Sequence, residues 1–156
     1  MANYTAKDIA NWFLSKEEMS PKKVQKLVYY AYSWFLTLNN NVKTELENYL
    51  FEERIEAWVH GPVVPELYDR FKKYGYSSIP KEEIQEVKDF DGEVLDVLNQ
   101  VYQTYGEFNA NQLESITHQE KPWLEARKAY SPLENCNEKI SDSIIFEYYG
   151  KRVSQR

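Results

Sequence analysis

At 156 residues the chain suits a single domain, expected over 1–150 with a polar tail over 151–156, and a domain of this size is stable without disulfides. The net charge of −6 and a pI near 5.1 argue against broad nucleic-acid or anionic-membrane binding, because an acidic surface gains nothing from displacing phosphate counterions. The single Cys136 excludes an internal disulfide and a thiolate zinc cluster, and no apolar run approaches the ~20 residues of a membrane span. The start, MANYTAKDIANWFL, lacks the cationic-then-apolar order of a signal peptide, so a soluble, cytoplasmic protein is expected.

Aromatic residues make up 15% of the chain, with thirteen Tyr and four Trp. Both residue types join an apolar body to a polar handle, so they serve cores and protein-binding surfaces alike.

In chain order, the first expected helix covers Ala6 to Leu14, with Ile9, Ala10, Trp12 and Phe13 crowding one side. Ser20 and Pro21 open the second as cap and first-turn proline. Val24, Leu27, Val28, Ala31, Trp34, Phe35 and Leu38 then follow the three-and-four spacing of a buried face, up to the Asn39–Asn41 loop. Lys16, Lys22, Lys23 and Lys26 group as a basic patch or a solvated helix start, diluted by Glu17 and Glu18. From Phe51 to His60 the period becomes two, predicting a strand that ends at Gly61 and Pro62 and pairs with Tyr49–Phe51 across a turn at Glu52–Arg54.

Pro65 begins a third helix with Leu67, Tyr68 and Phe71 facing inward and Gly75 as its stop. Residues 81–96 hold seven Asp or Glu against two Lys, a solvated face or a dock for a basic partner. A fourth helix runs from about Gly92 to Tyr105, with Val94, Val97, Leu98 and Val101 on one stripe. Asn109 and Gln112 form a capping box for a fifth, Pro122 opens a short sixth, and Ile140 and Ile145 flank Ser141 as a hydrophobic staple for a last helix through Tyr148. The fold class expected is mainly α, a compact bundle of six to seven helices with one small two-stranded hairpin.

No phosphate loop, nucleophile elbow or zinc-protease motif is present, and neither His60 nor His118 has a metal-ligand partner at local spacing. No catalytic residue, metal or cofactor is assigned. Two stretches are nevertheless tightly specified. Trp58-Val59-His60-Gly61-Pro62-Val63-Val64-Pro65 launches a helix from a strand end. Thr117-His118-Gln119-Glu120-Lys121-Pro122-Trp123 sets a second His and Trp before another proline-started helix. Either the two junctions meet as a polar–aromatic pocket, or both histidines are hydrogen-bonded parts of buried turns.

On these residues the chain resembles the Panacea domain family, which includes SocA-like antitoxins of bacteria and phage. The likeness takes in Ala6–Leu14, Ser20–Leu36, Ile55–Gly75, Tyr105–Arg127 and Ile140–Tyr149. It implies a non-enzymatic antitoxin that binds a cognate toxin encoded next door, or an adaptor that delivers the toxin to a cytosolic AAA+ protease. Gln25, Lys26, Tyr29, Trp58, Gly61, Pro62, Thr117, His118, Pro122 and Trp123 coincide with the family's motif positions; Trp34, His60, Val63, Tyr68 and Arg127 lie in the same matched stretches. At His60 the family commonly has Tyr. Gln25 and Tyr29 lie one helical turn apart, where their side chains can meet. These residues either shape the scaffold or bind the partner.

Overall fold

A computed structural model describes residues 2–153. Among them are seven α-helices and one two-stranded antiparallel sheet, the mainly α architecture expected. Helix α1 spans Ala6–Lys16, opened by a capping box in which Thr5 and Asp8 bond each other's backbone N–H. Helix α2 spans Pro21–Leu38, with the Ser20 hydroxyl accepting from Lys23 N–H. It is the centre of the molecule: α1, α4 (Gly92–Tyr105), α5 (Ala110–His118) and α7 (Asp142–Val153) all pack against it, as do the hairpin and α3 (Pro65–Phe71). Short α6 (Lys121–Ala126) bridges α5 and α7. Asn109 and Gln112 cap α5 reciprocally as the spacing predicts.

A helix surrounded on so many sides must bury polar as well as apolar groups. Val24, Leu27, Val28, Ala31 and Leu36 are fully enclosed, but so are Tyr29 and Tyr30. Their hydroxyls need partners, because an unpaired buried polar group costs about 1–3 kcal/mol. Tyr30 donates to the Glu120 carboxylate at 2.8 Å, Tyr149 of α7 donates to the same oxygen at 2.9 Å, and Tyr29 and Tyr149 share a hydrogen bond at 3.0 Å. The Tyr105 ring at the end of α4 stacks on Tyr30 at 3.9 Å, and its hydroxyl accepts from Trp34 Nε1 at 3.1 Å. A tyrosine cluster around one carboxylate thus joins α2, α4, α7 and the residue that precedes α6. Burial raises the Glu120 pKa while the two hydroxyl donors oppose that rise, and burial raises those of Tyr29, Tyr30 and Tyr149.

The hairpin differs from its expected form. Strand β1 (Glu56–Trp58) pairs with β2 (Gly61–Val63) through the two-residue loop Val59–His60, while Tyr49–Phe51 takes no strand. Leu50 and Phe51 are buried as core loop residues instead. Gly61 adopts φ +110°, which reverses the chain where the sequence suggests a strand end. Pro62 is tolerated because it faces Ala57, whose backbone groups point away from β2: Ala57 N–H donates to Glu138 O at 2.9 Å and its carbonyl accepts from Arg127. Residues 138–140 lie along the other side of β1, with Ile140 N–H bonded to Ile55 O at 2.9 Å.

Two further expectations are revised. Tyr68 does not face inward but is 45% exposed on α3. Helix α7 runs past Tyr148 to Val153, so residues 151–153 of the expected tail are helical, and 154–156 lie outside the described residues.

Glu120→Ala leaves two buried hydroxyls without their acceptor and is expected to cost about 2–4 kcal/mol in urea unfolding, with Glu120→Gln, which keeps an oxygen there, costing less. Equal losses for the two would show that the carboxylate charge itself is required.

Candidate functional site

The two specified stretches do come together. The hairpin packs against α2 and α5, and Trp123 of α6 bonds its first strand. From α2, the Gln25 amide grips the backbone of Val64 in both directions: Nε2 donates to Val64 O at 3.0 Å and Val64 N–H donates to Oε1 at 2.9 Å. Gln25 thereby stands in for a neighbouring strand at the point where β2 gives way to α3.

At the next residue, the spacing of the lysines suggests a surface group, yet Lys26 is only 1% exposed. Its stem runs under the hairpin and Nζ donates to Pro62 O at 3.2 Å. A Cβ at Gly61 would lie 2.6 Å from Lys26 Cε and 3.0 Å from Thr117 Oγ1, so only glycine fits the position, on grounds of space and of φ. Thr117 is fully buried and its hydroxyl bonds Glu114 O at 2.8 Å. Burial, with the Lys22 charge adding to it, brings the Lys26 pKa down to about 7.

The second junction is joined to the first through its Trp. Trp123 is 7% exposed and its Nε1 donates to Trp58 O at 2.9 Å. The His118 ring stacks on Trp123 at 3.9 Å and 15°. The Arg127 guanidinium also lies over the Trp123 ring, 5.2 Å from its centroid. Arg127 is 4% exposed; it donates to the carbonyls of Ala57 at 2.9 Å, Ser131 at 3.1 Å, Pro132 at 3.3 Å and Glu134 at 2.5 Å. Its buried charge is met by carbonyl dipoles, and it ties β1 to the loop before α7. Pro122, in the first turn of α6, is buried beside them.

The two histidines take different places. His60, at the hairpin tip, is 72% exposed, with Nδ1 3.3 Å from Glu114, which also pairs with Lys22. His118 is half-buried; its Nε2 is enclosed without a hydrogen-bond partner, and burial lowers its pKa. Neither is therefore a fully hydrogen-bonded part of a buried turn. The region where the junctions meet is occupied by the Trp123 and His118 rings and the Lys26 stem. A cleft of about 340 Å³ lies elsewhere, between Phe51–Ile55 and Lys139–Ile145.

The remaining matched residues fall apart from this group. Tyr29 and Trp34 belong to the tyrosine cluster further along α2, and Gln25 and Tyr29 bond different partners although they share a face. Val63 is buried in β2. Tyr68 meets the half-exposed Trp58 edge-on at 4.9 Å on the outer side of the hairpin, where Trp58 Nε1 donates to Glu56 at 2.9 Å. Cys136 is buried and its Sγ accepts weakly from Glu138 N–H. Among the described residues, no three His, Cys, Asp or Glu side chains group as a metal site. No described helix is long and apolar enough to cross a membrane. Sequence reasoning missed Glu120 and Tyr149 as a bonded pair. The one available signal is a carboxylate just before the proline-started turn of α6, where the hydrophobic pattern offers it no exposed face.

Two outcomes are expected of these residues. Trp123→Ala removes a buried ring and its bond to the hairpin and is expected to cost about 3–5 kcal/mol, whereas half-exposed Trp58→Ala costs about 1–2 kcal/mol; thermal unfolding of the two variants checks the difference. Lys26 supplies a pH dependence. Its ordinary pKa of 10.5 applies in the unfolded chain and about 7 in the fold, so unfolding takes up a proton between those values and stability rises with pH there. The slope reaches about 1.4 kcal/mol per pH unit until ionisation of tyrosines in the unfolded chain opposes it near pH 10. Urea unfolding at pH 7, 8 and 9 should show a rise for the wild type that Lys26→Met flattens; parallel profiles would mean that Lys26 titrates normally.

No curated protein and no solved structure matches the chain. A family model described as antitoxin SocA-like, Panacea domain, matches residues 24–124, which hold most of α2, the hairpin, α3 to α5 and most of α6. The chain belongs to the SocA-like antitoxin, Panacea domain family.

Proposed function

We propose that the protein is an antitoxin that neutralises a toxin encoded beside it by direct protein–protein binding, without catalysing a reaction. The observation that carries this reading is the family match over residues 24–124, which encloses both junctions. The way its shared positions are used supports it. Gln25, Lys26, Gly61, Thr117 and Trp123 are all buried and bonded or packed against one another or against nearby backbone. Groups tied up in this way build a frame, which leaves the choice of partner to exterior side chains. His118, whose imidazole could transfer a proton, stacks flat on Trp123 with an enclosed Nε2, a poor arrangement for a general base that must reach substrate.

The test is co-expression with the neighbouring gene product. Restored growth and a complex that elutes together are expected, with the half-life of the partner unchanged if neutralisation is by occlusion. Absence of both rescue and complex would sink the reading for this chain, and a shortened half-life would replace occlusion by delivery to a protease.

A further inference from the structure

The two strands of the hairpin are held unequally. Strand β1 is tied on its outer side, with Ala57 bonded to Arg127 and Glu138 and Trp58 O accepting from Trp123. Strand β2 is gripped only where it ends, at Val64, whose N–H and carbonyl both bond Gln25. Residues 59–63 span the gap between these anchors. What meets them from the helices below is Lys26 Nζ at 3.2 Å from Pro62 O, Glu114 at 3.3 Å from His60 Nδ1, and the His118 imidazole beside the Val59 backbone.

The lysine contact is incomplete in a way that depends on charge. An ammonium carries three N–H donors, yet among the described residues Lys26 Nζ bonds one acceptor, Pro62 O. A Cβ at Gly61 would lie 2.6 Å from Lys26 Cε, so β2 is pressed onto the lysine stem and itself shuts the amine from water. Charging the amine in place therefore strands donors, whereas lifting β2 gives them solvent. Burial brings the pKa down to about 7, and the ordinary 10.5 returns once the strand is raised. Raising it thus takes up a proton between those values, and a rise in pH through that window favours the closed strand.

Four other titratable groups face this point. Lys22 on α2 opposes charging of Lys26, and Glu114 on α5 favours it. His118 on α5 has an enclosed, unbonded Nε2, so raising the strand also eases its protonation. His60 at the tip acts the other way, because its charged form is held by Glu114 only while the tip is down. The two histidines oppose each other in acid, which leaves Lys26 in control above neutrality. We infer that β2 is a proton-coupled latch: residues 59–63 lift from α2 as Lys26 takes up a proton and close again as it is lost. The latch is independent of the antitoxin reading.

Amide hydrogen exchange of wild type and Lys26→Met at pH 7 and pH 9, corrected for the intrinsic effect of pH, tests it. The Gly61 and Val63 amides, opposite Trp58 and Glu56 in the hairpin, report on β2, and those of Leu27 to Leu36 in α2 report on unfolding of the whole domain. At pH 7 the β2 amides are expected to exchange at least about tenfold faster than those of α2, the mark of local opening. Their protection should rise at least about tenfold by pH 9 in the wild type and stay level in Lys26→Met. Protection of β2 equal to that of α2 overturns the latch, since the strand then opens only with the domain. Protection unchanged between the two pH values, or a rise that persists in Lys26→Met, also overturns it. The first two outcomes are read on wild type alone, so a variant that fails to fold leaves the test decisive.

Discussion

Helix α2 is enclosed by most of the molecule, and the structure depends on how its polar side chains are satisfied there. Gln25 and Lys26 face the hairpin and Tyr29 and Tyr30 face α7 and the start of α6, so the helix has a polar edge at each end of its buried surface. Gln25 and Lys26 are met by backbone groups, Tyr30 by a buried carboxylate and Tyr29 by the Tyr149 hydroxyl. Had any of them been left unpaired, the enclosure that makes α2 central would have become a cost. Lys26 is the extreme case: an amine under a hairpin, held where neutral and charged forms are close in free energy near pH 7.

The two polar edges divide the work of the fold. At the N-terminal half of α2, side chains bind the backbone of the hairpin, and Trp123 and Arg127 complete the hold from the other side. Further along, the tyrosine cluster collects α4, α7 and the turn before α6 around Glu120. Backbone groups are present whatever the sequence, so a hairpin held by its carbonyls keeps its place while its outward side chains, His60 and Trp58, remain open to change.

Elements whose signals are local were legible in the sequence. The Ser20–Pro21 start of α2, its apolar stripe, the Asn109–Gln112 box, and the proline-started α3 and α6 all depend on groups within a few residues of one another. The hairpin was half legible: strand periodicity located β1, but Gly61-Pro62 looked like a terminator. Whether a proline can sit in a strand depends on which side its neighbour's bonds fall, and here those bonds go to Glu138 and Arg127, some 70 to 80 residues away in the chain. Tyr68 was misplaced for a similar reason, since a seven-residue helix has too few turns for its pattern to choose a face.

Composition and spacing by themselves determined a mainly helical acidic domain, the order of its helices and the two stretches where glycine, proline and tryptophan leave little freedom. Tertiary structure alone decided what those stretches bond and pack against. It placed a lysine in the interior, set one histidine in water and the other against a tryptophan, and gathered Glu120 and the tyrosines into one centre. The physical reason is that burial and pairing are properties of partners brought together over long chain separations. A side chain's chemistry is written in its own residue, but its environment is supplied by others.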